Sequence, residues 1–241
     1  MRLSLVLVAV AGSALLLAAC SGDDEPPPAP VYHEAARVET IETEDGLTLD
    51  ARHFPAAGER LVILLHMYPA DQTSWFDFAT ELQAGGVDAL TFDFRGYGVS
   101  QGEQDPGVAD IDARAALALA RERGFERVVL IGASMGGTAA IVVAAVEPVD
   151  GVAALSAPAA MAELDAASAI GNVEAPITLV AADGDLSGAE SLRNLAALAA
   201  LDDHEVLMTG GRAHGTELLE QSGHEAVRGW LLDFLDRVWP P

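Results

Sequence analysis

The sequence predicts an α/β protein in which helices flank a mostly parallel sheet of about eight strands. With 241 residues, of which 51% are hydrophobic, the chain is long enough to build one substantial core. Short, continuously apolar runs recur along it, and such runs are typical of parallel strands that are buried on both faces. Longer amphipathic stretches separate these runs, which is the pattern of helices that connect parallel strands.

The first two strands are predicted to form a hairpin. Residues 38–43 and 47–54 are the two strand candidates, and Asp45 and Gly46 lie between them. An Asp-Gly pair readily supplies the positive φ angles that a tight hairpin turn requires. The sheet is therefore expected to open with an antiparallel pair.

The remaining strands are predicted from the apolar runs, and the helices from the stretches between them. The runs span residues 61–65, 89–92, 128–131, 152–155 and 177–180. A weaker run at 204–208 suits an edge strand. Helices are expected near residues 71–84, 108–123, 135–146, 188–201 and 224–238.

Composition excludes several classes of function. The chain has 37 acidic and 13 basic residues, a formal charge of −24, so nucleic acid is not expected as a partner. All the basic residues are arginine, which removes the chemistry that depends on a Schiff-base or phosphate-binding lysine. The single cysteine, Cys20, allows no internal disulfide and makes a cysteine-ligated metal site implausible. Neither a metal nor an organic cofactor is expected.

The position of Cys20 predicts the cellular compartment. Residues 1–19 have a positive start at Arg2, then an apolar stretch without charge, and end in small residues directly before the cysteine. This ending resembles a bacterial lipobox, which implies cleavage before Cys20, lipidation of its sulfur, export from the cytoplasm and a membrane partner. The alternative is an uncleaved anchor or a buried helix, although the stretch is slightly short for a membrane span.

The residues that follow Cys20 are predicted to form a tether. Residues 20–35 include the acidic, proline-rich stretch SGDDEPPPAP, which favours an extended chain of about 3.1 Å per residue. The folded domain is then expected to span residues 36–241. Because removal of the first 19 residues deletes Arg2 alone among the charged residues, the exported domain stays strongly acidic.

The most informative motif lies directly after the strand at 128–131. Residues 132–137 (GASMGG) place Ser134 at a strand-to-helix turn with glycines on both sides, where larger side chains would collide. Such a turn raises the serine hydroxyl above the sheet and directs the Met135 amide at a developing oxyanion. The alternatives are a glycine-rich turn without chemistry and a dinucleotide site, but the G-x-G-x-x-G spacing is absent.

This motif and its context resemble the α/β-hydrolase fold family over residues 36–238. Residues 61–69 (LVILLHMYP) are similar to the family's strand and oxyanion loop. The resemblance implies that Tyr68 supplies the second oxyanion amide, with Met67 as the alternative. Met67 departs from the usual pattern, since the family commonly has glycine there.

A second segment carries the same resemblance. Residues 91–100 (TFDFRGYGVS) are similar to the family's D-x-R-G-x-G-x-S segment. The resemblance implies a structural role, in which Asp93 and Arg95 hold this loop beside the serine turn.

The acid of a catalytic triad is expected after the strand at 177–180. Asp183 and Asp185 both lie there, and the family's usual position favours Asp185, with Asp183 as the alternative. Either carboxylate also suits an Asx turn or a helix cap.

The base is expected last in the chain. His214 alone among the six histidines lies in a loop between the final strand and the final helix. His66 is interpreted as orienting the oxyanion loop. The others are assigned to surface positions: His33, His53, His204 and His224. The order Ser134, Asp185, His214 matches the family's order of nucleophile, acid and base.

These residues together imply a serine hydrolase. His214 would take the Ser134 proton, Asp185 would orient the imidazole, and water would hydrolyse the acyl-enzyme. About twenty residues separate the strand at 152–155 from the strand at 177–180, so no large cap domain is expected. Without a cap to form a long apolar channel, small esters with short acyl chains are the expected substrates.

Two other functions stay open at this point. An exported peptidase of the prolyl-oligopeptidase-like type is the alternative enzyme, although the chain lacks the gating domain that usually accompanies one. A catalytically inactive, membrane-tethered binding protein is the alternative from another class, and the intact Ser134, Asp185 and His214 argue against it.

Overall fold

The computed structural model describes residues 33–199, 205–220 and 224–240. The predicted signal peptide, Cys20, the tether up to residue 32 and His204 lie outside the described residues. His33, which the sequence assigns to the tether, packs its ring against Phe54 and Phe76, at 5.3 and 5.4 Å between ring centroids. The chain is therefore already in contact with the domain at this residue.

The described residues form an eight-stranded, mostly parallel sheet, as predicted. Its strands are β1 (Arg37–Glu42), β2 (Thr48–Phe54), β3 (Arg60–Leu65), β4 (Asp88–Phe92), β5 (Arg127–Ala133), β6 (Gly151–Leu155), β7 (Ile177–Ala182) and β8 (Glu205–Thr209). Their order in the sheet is β1-β2-β4-β3-β5-β6-β7-β8. Strand β2 pairs antiparallel with β1 and β4, and every other pairing is parallel. The structure thus confirms the opening hairpin and the edge position of β8.

Helices cover both faces of the sheet. They are α1 (Phe76–Ala84), α2 (Ala109–Glu122), α3 (Met135–Ala144), α4 (Ala166–Ala169), α5 (Leu186–Leu198) and α6 (His224–Val238). Helices α2 to α5 pack over one face, and α1 and α6 over the other. Leu130 is buried on the face covered by α2 to α5, and Ile131 on the face covered by α1 and α6. Burial on both faces explains the continuously apolar sequence of β5.

Two local expectations need correction. Gly46 has a positive φ of 84°, but Asp45 does not, because the Thr43 hydroxyl accepts from the Leu47 amide and widens the turn beyond two residues. Helix α5 begins at Leu186 rather than near residue 188. The Asp185 carboxylate accepts from the amide of residue 188 and caps the helix two residues earlier than its apolar spacing indicates.

The connection between β6 and β7 is short, as expected. It contains only α4 and a 3₁₀ turn at Ile170–Asn172 as helical elements, so no cap domain is inserted there. Within residues 33–199, 205–220 and 224–240, no helix is long and apolar enough to cross a membrane.

Helix α3 approaches the sheet at backbone contact distance. A Cβ added to Gly136 would lie 2.3 Å from the carbonyl oxygen of Leu65, and one added to Gly132 would lie 2.2 Å from the Gly136 carbonyl oxygen. No side chain fits at either position without moving the helix. The glycines that flank Ser134 are therefore required by packing as well as by the turn.

We expect Gly136→Ala to destabilise the protein by about 3 kcal/mol, because its methyl group would overlap the backbone of β3. This corresponds to a fall in Tm of roughly 6–12 °C for a domain of this size. The matched control is Gly229→Ala in α6, where an added Cβ meets nothing within 4 Å. That substitution should raise stability by up to about 1 kcal/mol. A Gly136→Ala variant that melts like the wild type would contradict the packing argument.

Candidate active site

Ser134 sits in a strained turn at the carboxyl end of β5. Its backbone has φ 48° and ψ −113°, a region that residues other than glycine rarely adopt. The Ser134 amide donates to the Leu155 carbonyl at 2.8 Å, which ties the turn to the end of β6. Helix α3 starts at the next residue, so its amino-terminal dipole points towards the serine.

His214 and Asp185 form a close pair beyond the carboxyl ends of β7 and β8, the same side of the sheet as Ser134. His214 Nδ1 lies 2.7 Å from Asp185 Oδ2, and the other carboxylate oxygen accepts from the Gly188 amide at 3.2 Å. Because an ionised carboxylate only accepts, Nδ1 is the donor and Nε2 of the neutral imidazole is left as an acceptor. This is the tautomer that a general base needs.

The environment of Asp185 keeps it ionised. Burial opposes ionisation, but hydrogen bonds from His214 and from the Gly188 amide outweigh it, so the pKa of Asp185 is lowered. Asp183, the alternative acid, instead accepts from the Gly211 amide at 3.1 Å and holds the loop after β8. Of the two candidate carboxylates, Asp185 is therefore the one that bonds to His214.

The loop that carries His214 packs against the serine turn and the oxyanion loop together. Gly215, with φ 58°, follows the histidine, and a Cβ added there would lie 2.5 Å from Met67 Sδ and 3.4 Å from the Ala133 Cβ. Ala133 directly precedes Ser134. The three segments predicted to carry the chemistry thus converge at one point of the sheet edge.

His66 fixes the orientation of the oxyanion loop. The Phe94 amide donates to His66 Nε2 at 3.0 Å, so Nδ1 carries the proton and donates to the Met67 carbonyl, also at 3.0 Å. Burial is the main cause of a pKa of about 4 for this imidazole, which is therefore neutral. Since the C=O and N–H of a trans peptide point in opposite directions, the Tyr68 amide points away from His66.

Backbone amides at this place are available to a ligand. Among the described residues, no backbone carbonyl accepts from the amide of Tyr68 or from that of Met135. These are the two donors that the resemblance to the family implies. The amide of Met67, the alternative to Tyr68, likewise donates to no backbone carbonyl of the described residues.

The sequence did not reveal how the chain is held at Gln72, which follows the predicted oxyanion loop. Asp93 accepts from both the backbone amide and the side-chain amide of Gln72, at 2.8 and 3.0 Å. The Gln72 side chain also bonds to Asp50 and Thr91. Burial raises the pKa of Asp93 to about 6, although the Gln72 bonds oppose this shift. No motif marks Gln72, so only the fold could identify it.

Arg95 anchors the loop that follows β4. Its guanidinium bonds to Asp112 in α2, at 2.7 and 3.0 Å, and to Asp45 in the β1–β2 turn at 2.7 Å. Hydrogen bonds that Arg95 donates to Asp112 are the main cause of a raised pKa for Arg95, which stays charged. The structure confirms that Asp93 and Arg95 hold loops beside the serine turn.

The remaining predicted positions are only partly confirmed. His53 is not a solvated surface residue, because its Nε2 lies 2.8 Å from the buried carboxylate of Asp88. His224 is the first residue of α6. In the part of the chain that the structure describes, no group of three or more His, Cys, Asp or Glu side chains is placed to hold a metal ion.

Comparison with known proteins identifies the family of this chain. Residues 60–207 match the alpha/beta hydrolase fold family. The chain belongs to this family. The matched region starts at β3, contains Ser134 and Asp185, and ends within β8, before His214.

Individual relatives of this alpha/beta hydrolase are distant. An uncharacterised protein of Mycobacterium tuberculosis is 26% identical over 225 residues, which cover 83% of this chain and 80% of the relative. An esterase of Pyrococcus furiosus has a TM-score of 0.75 at 20% identity, covering 88% of this chain and 99% of that one. A monoacylglycerol lipase of Paleococcus ferrophilus has a TM-score of 0.70 at 17% identity, covering 79% and 99%. These structures share the fold.

The raised pKa of Asp93 predicts a pH-dependent stability. Between about pH 4 and pH 6 the folded protein binds more protons at Asp93 than the unfolded chain does, so this carboxyl lowers stability as pH rises. Relative to the wild type, Asp93→Asn should therefore gain up to about 3 kcal/mol in unfolding free energy between pH 4 and pH 7.

Urea unfolding at several pH values measures this difference. Asp77→Asn, which removes an exposed carboxylate on α1, controls for the change in net charge and should follow the wild-type pH profile. If the Asp93→Asn and wild-type curves run parallel from pH 4 to pH 7, the raised pKa is wrong.

Proposed function

We propose that this protein is a serine hydrolase that cleaves carboxylic esters, with Ser134 as nucleophile, His214 as base and Asp185 as acid. The observation that carries the proposal is the 2.7 Å hydrogen bond between His214 and Asp185, made at the sheet edge where Ser134 occupies its strained turn. Such a turn stores strain that a purely structural serine would not require.

The geometry supports an acyl-transfer mechanism. His214 Nε2 accepts the Ser134 proton while the hydroxyl oxygen attacks the ester carbonyl, and Asp185 stabilises the imidazolium that forms. The amides of Met135 and Tyr68 donate to the oxyanion. His214 then returns the proton to the leaving alcohol, and water releases the acyl group from Ser134 by the same steps.

Proteins of similar fold support an ester substrate. The proteins of similar fold include ones named as an esterase and as a monoacylglycerol lipase. Short acyl chains fit the local architecture best, because the connection between β6 and β7 contributes only α4 and one 3₁₀ turn above the sheet. A long acyl chain would leave its methylene groups in water and gain little binding energy.

We further propose that the protein is exported and held at the bacterial membrane by lipid on Cys20, facing outside the cytoplasm. The support is the sequence of residues 1–20, with its positive start, apolar stretch and small residues before the cysteine. Two acyl chains on this residue would give stable anchoring, since each buried CH₂ contributes about 0.8 kcal/mol.

We expect Cys20→Ser to abolish incorporation of a labelled fatty acid in a bacterial host. The substitution removes the only thiol in the chain, and this thiol is the group that the lipid would modify. The unprocessed precursor should accumulate in the membrane fraction. Ser21→Ala serves as the control and should be labelled normally. A mature wild-type protein whose amino terminus is any residue other than Cys20 would refute the assignment.

Substitution of the three proposed catalytic residues tests the mechanism. Ser134→Ala and His214→Ala should each lower kcat for a p-nitrophenyl ester by about 10⁴ to 10⁶, and Asp185→Asn by somewhat less. Ser134→Ala should also lose the mass adduct that a fluorophosphonate probe forms with the wild type.

Asp183→Asn is the matched control, since this carboxylate lies two residues from Asp185 but bonds to Gly211. We expect it to keep nearly full activity. Activity lost in Asp183→Asn and kept in Asp185→Asn would reverse the assignment of the acid. Folded wild type that forms no adduct would favour an inactive binding protein.

A further inference from the structure

Tyr97 lies between the two segments that supply the proposed oxyanion donors. It follows β4, and its side chain is buried, with 3% of the residue's surface exposed. Its ring is 4.9 Å from the His66 ring at an interplanar angle of 67°, and 6.3 Å from the Tyr68 ring at 89°. Both are edge-to-face contacts, which are directional as well as attractive.

The hydroxyl of Tyr97 reaches the second segment. It donates to Met135 Sδ at 3.8 Å, and the Met135 side chain is completely buried. Burial raises the pKa of the Tyr97 phenol to about 12, so the hydroxyl keeps its proton. A thioether is a weak acceptor, so this contact with Met135 is weaker than the ring contacts with His66 and Tyr68.

The backbone around Tyr97 is itself fixed. The Tyr97 amide donates to the Phe94 carbonyl at 3.0 Å, and its carbonyl accepts from the Ser100 amide at 2.9 Å. Arg95, two residues earlier, anchors the same loop to α2 through Asp112. The ring is therefore held by a loop that belongs to neither of the segments that it contacts.

We propose that Tyr97 is a positioning residue that sets the relative placement of the Tyr68 and Met135 amides. This inference rests on the proposed function, and Tyr97 acts through those two residues without touching the reacting atoms. Oxyanion donors are effective only within a narrow range of about 2.7–3.1 Å from the developing charge. A side chain that contacts both segments helps to maintain that spacing while the substrate binds and reacts.

The decisive variant is Tyr97→Leu, which removes both ring contacts and the hydroxyl. We expect kcat for p-nitrophenyl butyrate to fall by about 10- to 100-fold while KM changes less than about threefold, because the transition state is affected more than substrate binding. The inhibition constant of n-butylboronic acid, whose tetrahedral serine adduct occupies the oxyanion site, should rise by a similar factor. Tyr97→Phe keeps the ring contacts with His66 and Tyr68 and removes only the hydroxyl contact with Met135, so its kcat and inhibition constant should lie between those of the wild type and Tyr97→Leu.

A matched control separates positioning from general loss of packing. Phe234 is equally buried, at 2% exposed, and lies in α6 against Gly151 at the amino end of β6, the edge opposite Ser134. Phe234→Leu also removes a buried aromatic ring from the core. It should lower Tm without changing kcat or boronic acid inhibition.

Three results would overturn the proposal. If Tyr97→Leu keeps kcat and boronic acid inhibition within threefold of the wild type, the ring does not position the amides. If Phe234→Leu lowers kcat as much as Tyr97→Leu, the effect is one of stability. A folded wild type that neither hydrolyses esters nor reacts with a fluorophosphonate would overturn the proposed function and this inference with it, whereas an active wild type isolates the failure to Tyr97.

Discussion

The close backbone contact between helix α3 and the sheet is the constraint on which the rest of the structure depends. Glycine at positions 132 and 136 allows the chain to reverse at Ser134 while α3 starts against the carbonyl of Leu65. That carbonyl ends β3, and the oxyanion loop begins at the next residue. The same contact therefore fixes the position of Ser134, the direction of the α3 dipole and the point where the loop after β3 begins.

Hydrogen bonds of buried polar groups then determine the conformation of the loops around this turn. Asp93, Arg95 and His66 are buried, and each bonds to a segment remote in sequence: Gln72, Asp112 and Phe94. Such groups are costly to bury unless their hydrogen bonds are satisfied, so they favour one loop conformation over the alternatives.

The apolar pattern of the sequence predicted the sheet because burial on both faces leaves little freedom in residue type. Strands β3, β5, β6 and β7 were found where continuous apolar runs predicted them. The errors occur where side-chain hydrogen bonds compete with that pattern. Thr43 widens the first turn, Asp185 starts α5 early, and His53 is paired with Asp88 instead of solvated.

The sequence by itself determined the fold class, the glycine-flanked serine turn and the short set of residues able to act with it. These follow from local spacing and residue type, which the chain carries without reference to its fold. Tertiary structure alone decided that Asp185 rather than Asp183 meets His214, that the His66 proton is on Nδ1, that Gln72 bonds to Asp93, and that the Tyr97 ring contacts Tyr68. Each of these depends on a distance between residues far apart in the chain, such as the 29 positions between Asp185 and His214, and no local pattern encodes such a distance.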